Sequence, residues 1–279
     1  MLFRSHWGKS GLSFIFHELS KVISERSANY SSLARKIDLE TCSYFSKNKI
    51  TINGIRRGAS GTGLYFLRLL EDGVYDHDQE AKTAVETALG KIVKGILENA
   101  IIDPADKSLR WTFEGKSGPE YPGYSYGGVG VSHFLARFAE HKSDKTVLEA
   151  AISGMRHIAM ISNRSSNGCL VPYSFPDDPI VRHYLGECHG NSGLIKSLVH
   201  LSGASGDRSW LDLASSAARS LLENTIGTKL FNFWMAQKKS DEYFWDNLSL
   251  CDGNAAAIEA LSVLGIDFYA DSIESYIRN

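Results

Sequence analysis

Five times along this chain a glycine-led turn stands directly before an apolar run, and that recurrence limits the folds open to it. The first copy, His6-Trp7-Gly8-Lys9-Ser10-Gly11, runs into Leu12-Ser13-Phe14-Ile15-Phe16. The second, Arg57-Gly58-Ala59-Ser60-Gly61, precedes Leu64-Tyr65-Phe66-Leu67, and the third, Tyr126-Gly127-Gly128-Val129-Gly130, precedes Val131-Ser132-His133-Phe134-Leu135. The fourth is Cys188-His189-Gly190-Asn191-Ser192-Gly193, before Leu194-Ile195. In the fifth, Cys251-Asp252-Gly253-Asn254-Ala255-Ala256, alanine replaces the second glycine. The lead glycines, Gly8, Gly58, Gly127, Gly190 and Gly253, lie 50, 69, 63 and 63 residues apart.

A second segment follows each apolar run, with one polar face. Ala81, Val85, Ala88, Leu89, Ile92, Val93 and Ile96 fall at helical spacing with Lys82, Glu86 and Lys94 opposite. Val147, Leu148, Ala151, Met155 and Ile158 repeat the pattern, and Trp210, Leu213, Ala214, Ala217 and Leu221 repeat it again. The segment from Ile266 to Ile277 reads as a shortened last copy. Each unit therefore pairs a helix that wants burial all round with one that wants solvent on one side. Two concentric rings of helices satisfy both, so the expected architecture is all-α, an α/α toroid forming a single domain over residues 1–279. Paired glycines suit helix starts that crowd near an axis, because a residue without Cβ allows close backbone approach. The connections 102–123, 162–187 and 227–247 are long enough to carry function or short strands at one rim. Leu170-Val171-Pro172-Tyr173 and Phe231-Asn232-Phe233-Trp234 are the strand candidates.

With 30 basic and 32 acidic residues, nothing favours nucleic acid or an anionic membrane. Apolar runs are broken well before the ~20 residues a membrane span needs. No secretory signal is legible at Met1-Leu2-Phe3-Arg4, and Cys42, Cys169, Cys188 and Cys251 are too few and scattered for a disulfide framework. Reduced thiols in a cytoplasmic protein are the expectation.

Cys188-His189 is the only place where a thiol and an imidazole are adjacent, and both are ligand types that zinc prefers. Such a pair in a helical protein is more often packing than a site. The repeat raises its standing: Ser125-Tyr126, Cys188-His189 and Cys251-Asp252 hold equivalent slots on consecutive units and should converge at the axis. A zinc site of Cys188, His189 and Cys251 with an open fourth position is the metal hypothesis, against simple packing of Cys251. Gly123-Tyr124-Ser125-Tyr126-Gly127 matches the hydrolase Gly-x-Ser-x-Gly, with Asp177, Asp178 and His183 downstream. That motif requires a buried strand before the serine, and none is legible. Gly58-Ala59-Ser60-Gly61-Thr62-Gly63 lacks the Lys-Ser/Thr of a phosphate loop.

Cys-His-Gly-x-x-Gly within a series of Gly-x-x-Gly helix starts resembles the lanthionine synthetase C-like family. The resemblance implies a double ring with seven inner helices and an axial zinc held by Cys, Cys and His. It also implies a cyclase that adds the Cys thiolate of a precursor peptide to dehydrated Ser or Thr, closing a thioether ring; the thiolate is the nucleophile. Cys188-His189-Gly190 is similar to the family's zinc pair, and Tyr124-Ser125-Tyr126-Gly127 to its Trp-Cys-Tyr-Gly, with Ser125 replacing a ligand. Arg57 stands where the family usually has a proton-transferring His. By that correspondence Tyr126 and His189 are the candidate catalytic residues, and Arg57, Ser125 and Asp252 the candidate substrate-binding ones. Cys188, His189 and Cys251 are the candidate zinc ligands. Loss of a ligand resembles the cyclase domains of class III lanthionine synthetases. Five units against seven imply a ring incomplete on its N-terminal side, or completed by another chain. Dehydration would fall to a separate dehydratase or kinase/lyase partner. The alternative is a degenerate, non-catalytic module that binds a peptide or a partner enzyme.

Overall fold

The structure is a computed structural model that describes residues 8–165, 168–175, 183–225, 251 and 254–265. Among them the chain is mostly helical: α1 (Lys9–Val22), α2 (Ser27–Lys47), α3 (Ala59–Glu71), α4 (Gln79–Glu98), α5 (Gly128–Lys142), α6 (Lys145–Ile161), α7 (Asn191–Ser205), α8 (Ser209–Thr225) and α9 (Asn254–Val263). Two antiparallel two-residue ladders interrupt the series, β1 (Ile101–Ile102) with β2 (Leu109–Arg110) and β3 (Asn163–Arg164) with β4 (Cys169–Leu170).

Helices α1, α3, α5 and α7 begin on the residue after a lead glycine, which is the N-cap in each case. None of these caps has a side chain to offer, so the chain satisfies the first amides differently. Before α3, α5 and α7 the loop folds back seven residues and presents its carbonyls. Ala59 N–H donates to Ile52 O (2.9 Å), Val129 N–H to Pro122 O (2.9 Å) and Asn191 N–H to Tyr184 O (3.3 Å). Ser60 and Ser192 add their hydroxyls to the same device, donating to Asn53 O and Leu185 O at 2.6 and 2.7 Å. Folding back so tightly is what requires glycine. A Cβ on Gly127 or Gly190 would overlap the carbonyl oxygen of Tyr121 or Tyr184. Backbone dihedrals are not the reason, since these caps are extended.

Helices α3, α5 and α7 are buried along most of their length and pack in succession, α3 on α5, α5 on α7 and α7 on α9. The partner helices α4, α6 and α8 cover α3, α5 and α7. Their buried stripes follow the sequence periodicity: Ala81, Val85, Ala88, Leu89, Ile92, Val93 and Ile96 in α4, then Val147, Ala151, Met155 and Ile158 in α6. Asp78 and Asp144 cap α4 and α6 by accepting from backbone amides of the first turn.

The strand expectations were partly displaced. Pairing at the second rim loop falls on Cys169–Leu170, and only the lone bridge of Pro172 to His183 extends it. Residues 231–234 and 266–277 lie outside the described residues. The β1–β2 ladder was not anticipated; it stands before Trp111, which is fully buried and donates to Ile96 O at 2.9 Å.

Candidate functional site

The loops before α3, α5, α7 and α9 are joined to one another by backbone hydrogen bonds in one register. Two residues before each lead glycine stand Arg56, Ser125, Cys188 and Cys251. Arg56 N–H donates to Ser125 O (2.9 Å), Ser125 N–H to Cys188 O (2.9 Å) and Cys188 N–H to Cys251 O (3.2 Å). Glu187 N–H also donates to Cys251 O, at 2.8 Å. Glycines at a further repeated slot permit the approach. A Cβ on Gly54 would lie 2.9 Å from Ser125 O, and one on Gly123 would strike His189 Cα. The structure thus gathers Ser125, Cys188 and Cys251 in neighbouring positions. Asp252 lies outside the described residues.

One residue further on in each unit come Arg57, Tyr126 and His189. Tyr126 and His189 are stacked, with ring centroids 4.7 Å apart and 15° between planes. Tyr173 (4.8 Å), Tyr184 (5.9 Å) and Tyr121 (6.2 Å) complete an aromatic wall about the imidazole. His189 Nδ1 is buried without a hydrogen-bond partner among the described residues. Burial, reinforced by the charge of Arg56, lowers the His189 pKa to about 4, so the ring is neutral at pH 7. The cation beside this cluster is Arg56, whose Nη1 donates to Tyr126 Oη at 2.7 Å. Arg57 is exposed and lines a groove of about 380 Å³ with Lys9, Glu40, Tyr44 and Arg56.

The sulfur chemistry corrects a sequence expectation. Cys188 and Cys251 are joined as a disulfide, with Cα atoms 5.5 Å apart, within the ordinary range for such a bond. Only Cys42 and Cys169 are free, and both are buried. Burial, with Asp38 nearby, pushes the Cys42 thiol up to about 12, and burial also raises Cys169. Neither is a ready nucleophile. Zinc bound by cysteine requires thiolates, and here the two that sequence reasoning assigned to it are bonded to each other. No three His, Cys, Asp or Glu side chains form a metal-holding group among the described residues. His189 Nδ1 is the one unsatisfied donor atom of the proposed set, and alone it does not make a site. While bonded to each other, Cys188 and Cys251 cannot serve as zinc ligands.

The hydrolase alternative also fails. No buried strand precedes Ser125, and His183 Nδ1 pairs with Val171 O at 3.0 Å. Beneath the cluster, Lys196 of α7 reaches Glu187 (3.2 Å) and Glu259 (3.0 Å) with its side chain only 9% exposed. Sequence reasoning missed Arg56, Tyr121, Tyr173 and Tyr184. Arg56 could have been found by setting the repeats in register, since it shares the slot of Ser125 and Cys188. The tyrosines come from long loops, where no periodicity marks a position.

A helical-pair repeat whose polar and aromatic side chains gather where successive helices begin defines the class of this protein. The profile of the family described as "Lanthionine synthetase C-like protein" matches residues 2–274, and the chain belongs to that family. Among solved structures the fold is similar to that of nisin cyclase, at 14% identity and a TM-score of 0.50 over 98% of this chain and 82% of that one. No curated protein matches the sequence. No helix of the described residues is long and apolar enough to cross a membrane.

Proposed function

We propose that the helix starts close around an axis as an α/α toroid, and that the axial cluster holds a precursor peptide bearing Cys and dehydrated Ser or Thr. The protein is then a lanthipeptide cyclase-like template that closes thioether rings by positioning rather than by metal activation. Family membership supports the peptide, and the loss of metal donors is in keeping with class III cyclase domains. A separate dehydratase or kinase/lyase protein would supply the dehydrated peptide.

The observation that carries the mechanism is the packing of His189 among Tyr126, Tyr173 and Tyr184 with its Nδ1 buried and unpaired among the described residues. In the addition, the peptide thiolate attacks the β-carbon of the dehydro residue, and a proton is delivered to the α-carbon. Drawing the thiol proton onto an imidazole of pKa about 4 is uphill by about 6 kcal/mol from an ordinary thiol. Ionising the same thiol into solvent at pH 7.5 costs only about 1.4 kcal/mol. His189 is therefore a poor base for this step, and the thiolate arrives already formed. What the site contributes is orientation, with Tyr126, Tyr173 and Tyr184 as apolar walls and Arg56 and Tyr126 as donors for charge growing on the acceptor carbonyl. Ser125, Arg57 and Asp252 are assigned to holding the peptide.

The test offers a dehydrated, Cys-containing peptide and follows loss of its thiol by alkylation and mass spectrometry, beside a direct binding measurement. Faster ring closure than in the free peptide at equal pH supports the template. Binding without acceleration would leave the non-catalytic module, which Ser125 and Arg57 in the family's ligand and proton-transfer positions favour. Absence of binding would defeat both readings.

A further inference from the structure

We propose that the Cys188–Cys251 disulfide is a redox latch that takes the place of a metal at the axial site and keeps its two sulfurs inert toward electrophilic peptide. Three features of the structure meet in this inference. The two cysteines hold the same slot in consecutive units, and the Cys188 N–H to Cys251 O bond fixes their backbones side by side. Their Cα separation of 5.5 Å suits a disulfide without backbone movement. The remaining thiols, Cys42 and Cys169, are buried elsewhere, so no other sulfur competes for either partner.

The chemical reason lies in the substrate class. A dehydro residue is an electrophile that adds any accessible thiolate, with the S–H adding across the carbon–carbon double bond and no leaving group. A free Cys188 beside His189 would be alkylated by the peptide it holds. Joined to Cys251 it has no lone thiolate to offer. The latch opens by exchange with an external dithiol. One thiolate of the reagent attacks Cys251, the less buried of the pair, and Cys188 leaves as thiolate. The second thiol of the reagent then displaces Cys251, so two electrons and two protons pass to the protein while the reagent becomes a disulfide. The substrate argument rests on the proposed peptide function; the latch itself does not.

The full chain is trapped with N-ethylmaleimide at lysis, denatured and weighed. Two adducts before reduction and four after, with Cys188 and Cys251 mapped in one cross-linked peptide, are expected. Native protein is then treated with a small dehydroalanine ester. The oxidised form should gain nothing, and the dithiol-reduced form should gain adducts at Cys188 or Cys251 but not at Cys42 or Cys169. Cys251→Ser should become reactive at Cys188 without reductant, and if that variant does not fold, the wild-type thiol count decides. Four adducts without reductant, a cross-link elsewhere, reaction of the oxidised form at Cys188, or about one zinc per freshly trapped chain would each overturn the latch. None of these outcomes depends on ring closure, so the latch and the cyclase reading fail separately.

Discussion

Breaking the Cys188–Cys251 bond should lower stability by an amount that the chain length between the two cysteines sets. The bond closes a loop with a sequence separation of 63. In the chain-entropy treatment, cross-linking so long a loop removes ~14 cal/mol/K from the unfolded ensemble, about 4 kcal/mol at 25 °C. An unfolding entropy of ~2.1 cal/mol/K per residue, taken over 279 residues, converts that into a Tm drop of roughly 7 °C. The backbone bonds from Glu187 and Cys188 to Cys251 O do not depend on the sulfurs. The native fold should therefore survive reduction, and most of the effect should lie in the unfolded chain. Calorimetric melts with and without a dithiol measure it, with the Cys188→Ser, Cys251→Ser double variant as control. The double variant should melt near the reduced wild type and ignore the reductant. A reduced wild type that melts within about 1 °C of the oxidised one would refute the reasoning, because a loop of that size predicts several times more.

Gly127→Ala should destabilise by at least 3 kcal/mol, because the added Cβ meets the Tyr121 carbonyl, which cannot withdraw without releasing the loop; chemical denaturation reads this directly. Gly90→Ala, on α4 with open space around it, should be neutral or stabilising by up to about 1 kcal/mol in the same assay. Because the folded-state pKa of His189 lies near 4, below its ordinary value of 6.5, the unfolded chain binds more protons between those values. Stability should fall as pH drops from 6.5 toward 4, by up to about 3 kcal/mol from this group, and a melt series on His189→Gln should show a flatter dependence. Arg56→Ala should raise the His189 pKa, read by NMR titration, and weaken peptide binding more than Arg57→Ala does. Ring closure should quicken about tenfold per pH unit from 6 to 8, following the peptide thiol; a plateau beginning near pH 5 would instead place His189 in the role of base.

The helices were legible because their determinants are local. The stripe of α4 follows from its apolar period, whereas the glycine-led stretches read as turns before the apolar runs are already helical from Ala59, Gly128 and Asn191, with Gly61, Gly130 and Gly193 inside the helices. The gathering of Ser125, Cys188 and Cys251 was also legible, because equivalent slots of a repeat that stacks in order must come together. The bond between Cys188 and Cys251 was not. Composition sees four scattered cysteines, and only the register of one loop on the next brings two of them to bonding separation. Arg56 was not legible as a site residue because the family correspondence falls on Arg57, whereas the backbone ladder and the bond to Tyr126 run through the residue before it. The tyrosine wall was invisible for a different reason. Tyr121, Tyr173 and Tyr184 are placed by loops whose shape depends on contacts such as the Glu120 and Phe175 backbone pair, distant in sequence.

The ladder also explains how these loops hold together whatever side chains they carry. Each link from Arg56 to Ser125 to Cys188 to Cys251 is main chain to main chain, and the clearance for it is provided by glycines at positions such as Gly54 and Gly123. Side chains at the linked positions are therefore free to change. An arginine, a serine and two cysteines occupy one structural slot with the same backbone geometry. Here the loops are tied before any side chain acts, and the disulfide adds a second tie between the last two. The same logic predicts where function can drift. The slots outside the disulfide, Arg56 and Ser125, can exchange chemistry at little cost in stability, whereas the glycines that clear the ladder cannot take a Cβ without a clash.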